Sequence, residues 1–226
     1  MSTRILRFLT PVLQPLYWKF VSKTRSYRYK SIRILVYPGV FYPGFILSTR
    51  IFLRFIDRLE IEGKTLLELG AGSGILSLLA AQKGAKVTST DINPLAISNI
   101  TDNMKRNKLD LTIIQSDLFR EIWQRPFDYI LINPPFYPKS PANFAQMAWY
   151  CGENFEYFED FFQHLHSFYG DQTTVLMLLS EDCNIEKIEQ IAAKHFFVFL
   201  QVHKKKKMGE WSIIFTINKI QSIAIE

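Results

Sequence analysis

The sequence predicts a doubly wound α/β fold: a mostly parallel seven-stranded sheet with a reversed final strand, behind a short N-terminal helical and strand extension. Three observations lead there. From about residue 45 onward, short apolar runs alternate with stretches of helical spacing, the pattern of strands joined by crossover helices. A glycine-rich turn, Glu68-Leu69-Gly70-Ala71-Gly72-Ser73-Gly74, follows the first of these runs and opens a helix. The last two β-type runs are consecutive and joined by a short basic turn, which makes an antiparallel hairpin at the end of the sheet.

The elements follow in order. Thr49–Leu59 has the helical spacing of Ile51, Phe52, Phe55 and Ile56. Thr65–Leu69 is a short apolar strand entering the glycine turn, and Ile75–Gln82 continues as a helix. Lys86–Thr90 is the next strand and ends at Asp91. Pro94–Asn107 is helical, with proline in the first turn where a missing N–H costs nothing. Leu111–Gln115 and Tyr129–Ile132 are strands, and Phe155–Tyr169 is a helix with one aromatic face. Thr173–Leu179 is a buried strand and Ile185–His195 a helix. Phe196–His203 and Glu210–Asn218 form the closing hairpin, with the run Lys204–Lys207 in its turn. Ser31–Val36 reads as an extra strand in a small N-terminal cap, and residues 3–22 as an amphipathic helix punctuated by Pro11 and Pro15. The chain therefore divides into a basic N-terminal extension and lead-in over residues 1–44 and one catalytic-size domain over residues 45–226.

Composition bounds the function. The 226 residues are 48% hydrophobic, enough for a sizeable core, and 19 phenylalanines make much of that core ring-packed. Two cysteines, Cys151 and Cys183, supply neither a disulfide framework nor a four-thiolate metal site, which points to a reduced, cytoplasmic setting. His164 and His166 are two apart on one helix and face different ways, so no metal site is expected. The apolar run Phe8–Trp18 is too short to span a bilayer and has no small-x-small cleavage site after it.

Charge is unevenly placed. Of 27 basic residues, ten precede the first acid, Asp57, leaving 17 against 21 acids in the remainder. The net charge of +6 thus belongs to the N-terminal segment. It is an electrostatic footprint for an anionic partner such as RNA or, through the N-terminus, a membrane surface, or else a solvated face with no partner.

The glycine turn holds three glycines at alternate positions, Gly70, Gly72 and Gly74, rather than the G-x-G-x-x-G of dinucleotide sites. No pyrophosphate need be cradled there. About twenty residues on, Asp91 ends the second strand, where a carboxylate can accept both hydroxyls of a ribose. Asp117 follows the third strand, where a side chain can accept from an adenine amino group. After the fourth strand comes Asn133-Pro134-Pro135-Phe136, in which two prolines force the chain out of the sheet at its carboxyl edge. Asn133 can offer acceptors to a substrate amino group, and Phe136 can stack on a flat one. Gripping the N–H groups of a delocalised nitrogen is positioning and electrostatic chemistry rather than base catalysis.

The row from Leu67 to Asn107 resembles the cofactor half of class I S-adenosylmethionine-dependent methyltransferases, which have a Rossmann-like fold. The resemblance covers roughly residues 38–182 and extends to the small-domain branch that includes release-factor glutamine and ribosomal-RNA methyltransferases. It implies S-adenosylmethionine as cofactor, with Gly70, Gly72 and Gly74 at the methionine part, Asp91 on ribose and Asp117 on adenine. Glu68 stands where many members have Asp. The lead-in Tyr37–Pro43 with Leu47-Ser48-Thr49 adds Phe41 and Thr49 as candidates at the methionine end. The active-site motif ends in Phe136 rather than the commoner Tyr. The expected activity is N-methylation of an amide or exocyclic amino nitrogen in RNA or protein. The alternatives are a small-molecule methyltransferase and a non-catalytic module that binds cofactor and RNA.

Overall fold

The computed structural model of the chain describes residues 19–44, 47–207 and 210–220. Most of the expected N-terminal helix, residues 3–18, and the tip of the closing hairpin lie outside the described residues.

A two-stranded antiparallel hairpin comes first, β1 (Arg25–Tyr29) and β2 (Ile32–Val36), so the expected strand at residues 31–36 has a partner. Helix α1 (Leu47–Ile56) leads into the main sheet. That sheet contains β3 (Thr65–Leu69), β4 (Lys86–Asp91), β5 (Thr112–Gln115), β6 (Tyr129–Ile132), β7 (Thr174–Ser180), β8 (Phe197–Lys207) and β9 (Glu210–Lys219). Its order is β5-β4-β3-β6-β7-β9-β8. Strands β3 to β7 are mutually parallel, and β9 runs antiparallel to both β7 and β8. The last strand in sequence is therefore the reversed one, as the sequence predicts.

The crossovers are α2 (Ile75–Gln82), α3 (Pro94–Asn107), a one-turn α4 (Phe144–Met147), α5 (Glu156–Leu165) continued by a 3-10 turn (His166–Phe168), and α6 (Ile185–Lys194). Alternation along the strands divides the core in two. Leu66, Leu131, Leu176 and Leu178 face α1, α2, α3 and the hairpin. Leu67, Ile130, Val175 and Met177 face the phenylalanines of α5 and the aliphatic stripe of α6.

The start of α3 is built from local chemistry. Asn93 caps it by accepting the Leu95 N–H at 3.0 Å, and Pro94 occupies the first turn. Its length then does something periodicity does not announce. Asn99, Asn103 and Asn107 lie four residues apart on the helix and hydrogen-bond the outer backbone edge of β2. Four helical residues rise about 6 Å and two strand residues about 6.6 Å, so the amide side chains keep step with every second strand residue. The side chains thereby satisfy β2 backbone groups that no strand pairs, and tie the hairpin to the main domain.

The lysine run differs from expectation. It belongs to strand β8 rather than to the turn: Lys204, Lys205 and Lys206 pair with Ile213, Ser212 and Trp211. The Lys204 and Lys206 ammonium groups sit 4.9 and 5.4 Å from the Trp211 ring centroid, a cation–π contact that holds their stems along the strand.

Candidate active site

The order of the sheet reverses between β3 and β6: β4 and β5 lie to one side, β7 to the other. Ligand clefts of open α/β sheets form at the carboxyl edge of such a switch point. A cleft of about 520 Å³ opens there, bordered by the segments that follow β3, β4, β5 and β6.

The glycine loop forms the floor. Gly70, Gly72 and Gly74 all have positive φ (66, 56 and 78°), which side chains with a Cβ adopt only under strain. A Cβ on Gly70 would meet nothing within 4 Å, so its face is open to the cleft. Gly74 has a different place. It does not border the cleft but starts α2, where an added Cβ would lie 3.0 Å from Ile100 of α3.

Asp91 holds this loop as well as facing it. Its carboxylate accepts the Gly72 N–H at 2.7 Å and the Asn93 N–H at 2.9 Å. Burial pushes the carboxyl above its ordinary range, against the pull of the N–H donors of Asn93, Gly72 and Ile92. The carboxylate keeps accepting capacity for a ligand beyond these donors. Asn93 in turn donates to the Gly39 carbonyl at 3.1 Å, which draws the lead-in over the loop.

Glu68 borders the cleft but is buried beneath the loop. Burial pushes its carboxyl up to about 8 although Ser77 hydrogen-bonds it. Ser77 Oγ is also 2.9 Å from Ser89 Oγ. A protonated Glu68 can donate to Ser77, leaving the Ser77 proton for Ser89, so the three groups are satisfied without a buried charge. Asp117, by contrast, is half-exposed, with the Arg120 guanidinium 3.6 Å away.

Asn133 follows directly on β6, and among the described residues its side-chain amide has no hydrogen-bond partner. Pro134 and Pro135 are buried behind it. The chain then pairs locally with residues 149–151: Phe136 and Tyr137 N–H both point to the Trp149 carbonyl, and Cys151 N–H donates to the Tyr137 carbonyl. That pairing turns Trp149 into the cleft, its ring 5.4 Å from Phe41. Thr49, also on the border, carries the one buried side-chain oxygen among the described residues without a hydrogen bond.

Thus Glu68, Gly70, Gly72, Asp91, Asp117, Asn133, Pro134, Pro135, Phe136, Phe41 and Thr49 come together around one cleft. The structure adds Trp149 and Tyr157 to the residues that the sequence singled out. Tyr157 lies on the aromatic face of α5 yet borders the cleft, where burial and the nearby Asp91 and Asp117 keep its hydroxyl protonated. Helical spacing could not separate it from Phe158, Phe161 and Phe162, which are wholly buried. Both cysteines are buried, and neither is part of a disulfide among the described residues. Among the described residues no helix is long and apolar enough to cross a membrane.

The family description "Methyltransferase small domain" matches residues 31–149, more than half of the chain. A ribosomal protein L11 methyltransferase of Thermosipho africanus is 38% identical over 104 residues, 45% of this chain and 40% of that protein. A tRNA adenine-N6 methyltransferase of Shewanella loihica is 38% identical over 93 residues, 36% of this chain and 37% of that protein. The chain spans about half or less of the length of the curated relatives it matches. Among solved structures, a T. thermophilus 16S rRNA N2 methyltransferase in complex with AdoMet and guanosine superposes with a TM-score of 0.62 at 21% identity, covering 86% of this chain and 50% of that one. With the fold, the cleft and this match in hand, the chain belongs to the methyltransferase small-domain family, within the class I S-adenosylmethionine-dependent methyltransferases.

Proposed function

We propose that the chain transfers a methyl group from S-adenosylmethionine to a planar nitrogen, an amide or exocyclic amine, of an RNA or protein substrate. The observation that carries this reading is Asn133. A carboxamide without a partner, fixed at the end of β6 by two prolines and bordered by Phe136, is a prepared acceptor for a substrate N–H.

The cleft residues fit the cofactor. Its volume lies within the roughly 300–1,000 Å³ of small-molecule clefts. Asp91 has lone pairs left for ribose hydroxyls, and Asp117 an accepting oxygen for an amino group. The unpartnered Thr49 hydroxyl and the open face of Gly70 suit the polar methionine end. When bound, S-adenosylmethionine supplies an electrophilic methyl on a sulfonium sulfur.

The chain's own residues then do the positioning. Asn133 accepts an N–H and so orients the nitrogen lone pair, with no side chain required to act as a strong base. Phe136 offers a ring face to the flat substrate group. The two relatives are named for action on a ribosomal protein and on a tRNA adenine N6, both macromolecular acceptors, which supports this reading.

The test is transfer of labelled methyl from S-adenosylmethionine into separated RNA, protein and metabolite fractions of the host lacking the gene. Label should enter a macromolecular fraction. Asn133→Ala should keep cofactor affinity and lower kcat by about 10²–10³, the loss seen when one preorganised polar group is removed. Normal turnover by that variant, or label confined to metabolites, refutes the proposal.

A further inference from the structure

Two aromatic rings join the walls of the cleft. Phe41 belongs to the lead-in and lies over the glycine loop: a Cβ added to Gly72 would meet the Phe41 Cβ at 3.8 Å. Trp149 follows α4, and its carbonyl receives the N–H groups of Phe136 and Tyr137 at 3.3 and 3.0 Å, just after the Asn133 motif. The two rings meet at a centroid distance of 5.4 Å with 56° between their planes, and both border the cleft. Each is held by its neighbours. The Trp149 N–H donates to the Gln146 carbonyl at 2.9 Å, and Gln146 is itself fixed by hydrogen bonds with Ala142 and Asn143. On either side of Phe41, the Gly39 carbonyl accepts from Asn93 and the Tyr42 hydroxyl donates to the Ser26 carbonyl at 3.1 Å. Rings set in place this way lose little freedom when a ligand arrives.

Charged side chains border the cleft elsewhere. They are Glu68, Asp91, Asp117, Arg120, Glu156 and Asp160, and none comes from residues 39–43 or 133–152. Most are engaged with other groups. Asp117 and Asp160 lie 3.6 and 3.2 Å from Arg120, the one cation on the border among the described residues. Glu156 accepts from the Asn154 backbone and side chain, both at 3.0 Å. Beside Phe41 and Trp149, a positive charge on a ligand would therefore meet the negative faces of aromatic rings, with no side-chain cation competing for them. Tyr150, next in sequence, already shows that chemistry, with the Lys139 ammonium 5.2 Å from its ring centroid.

We propose that Phe41 and Trp149 form an aromatic clamp for the positive charge of a sulfonium, so that the cleft distinguishes S-adenosylmethionine from the uncharged product S-adenosylhomocysteine. This rests on the reading of the cleft as a methyl-transfer site, in which the glycine loop is the cofactor side and Asn133 the acceptor side. The clamp spans those two sides, where the charge has to be held. The product carries no charge at sulfur, so the same rings hold it less and favour its release.

The test is calorimetric titration with three ligands: S-adenosylmethionine, S-adenosylhomocysteine, and sinefungin, which carries an ammonium group in place of the sulfonium. Trp149→Leu should lower the preference for the two charged ligands over S-adenosylhomocysteine by about twofold to thirtyfold, the span of one cation–ring contact. Phe41→Leu should shift the preference the same way, and Trp149→Phe, which keeps a ring, should retain most of it. Trp123→Leu, at an exposed position outside the cleft, should leave all three affinities unchanged. Thermal midpoints check that each variant is folded. Equal weakening of all three ligands by the leucine variants assigns the rings to packing and overturns the proposal, as does an unmoved preference. A loss confined to S-adenosylmethionine, with sinefungin unaffected, also overturns it, because the rings would then contact the methyl group rather than sense the charge. The readout needs no turnover, so an unmoved preference in a protein that still transfers methyl groups leaves the methyl-transfer reading standing. Normal turnover by Asn133→Ala would sink that reading without touching the binding result.

Discussion

Replacing Asn103 with alanine removes a joint on which both the hairpin and the cofactor loop depend. Asn103 is only 1% exposed. Its Oδ1 accepts the Leu35 N–H at 2.9 Å, and its Nδ2 donates to the Leu35 carbonyl at 2.8 Å and the Ser73 carbonyl at 3.1 Å. After truncation the Leu35 carbonyl keeps Asn99 Nδ2 at 2.8 Å. Two groups are then left without these partners, the Leu35 N–H and the Ser73 carbonyl. At about 1–3 kcal/mol per orphaned buried group, the expected loss is about 2–6 kcal/mol.

Asn107 is the control in the same ladder. Its bonds to Arg33 are exposed, so water replaces them, and Asn107→Ala should cost no more than the roughly 0.5–1.5 kcal/mol of an ordinary hydrogen bond. Urea unfolding at neutral pH measures both. Because Ser73 lies inside the glycine loop, Asn103→Ala should also raise the Kd for S-adenosylmethionine although the side chain does not border the cleft. An Asn103 variant that loses no more stability than the Asn107 one would refute the role assigned to this ladder.

Two further predictions follow from buried carboxyls. Glu68 is pushed up to about 8 in the fold, whereas the unfolded chain releases that proton near the ordinary 4.5. Between those values the native state binds more protons, so stability falls as pH rises, by at most about 1.4 kcal/mol per pH unit. Glu68→Gln should flatten that slope in urea unfolding at pH 5.5, 7 and 8.5 (values set by the window just given); an unchanged slope would assign the dependence to another group. Asp91→Ala removes the acceptor of the Gly72 and Asn93 N–H groups together with the expected ribose contacts. With charged hydrogen bonds at about 1.5–3 kcal/mol each, losing two should weaken S-adenosylmethionine binding by about 10²–10⁴ in calorimetry. A Kd close to that of the unmodified protein would remove Asp91 from the cofactor site.

Much of the architecture was legible along the chain because its signals are local. Pro94–Asn107 and Tyr129–Ile132 have the boundaries their sequence implies, since a proline sets the start of one and a proline pair the end of the other. The turns after successive strands were legible for the same reason. A parallel sheet brings every such turn to one edge, so residues as distant as Gly70 and Asn133 meet around one cleft.

What only the tertiary structure decided depends on contacts between segments far apart. The three-asparagine ladder reads in sequence as polar residues on a helix, and becomes a substitute strand only when β2 lies beside it. Gly74 shares its spacing with Gly70 and Gly72, yet the approach of Ile100 gives it a packing role. Tyr157 and Phe158 are adjacent on one aromatic helix; rotation about the helix axis sends the first to the cleft and the second into the core. The sequence by itself determined the order of elements and the chemistry at each strand end, because those follow from backbone preferences within a few residues. The tertiary structure decided which side chains meet, because that follows from how helices roll and strands stack, which no local preference encodes.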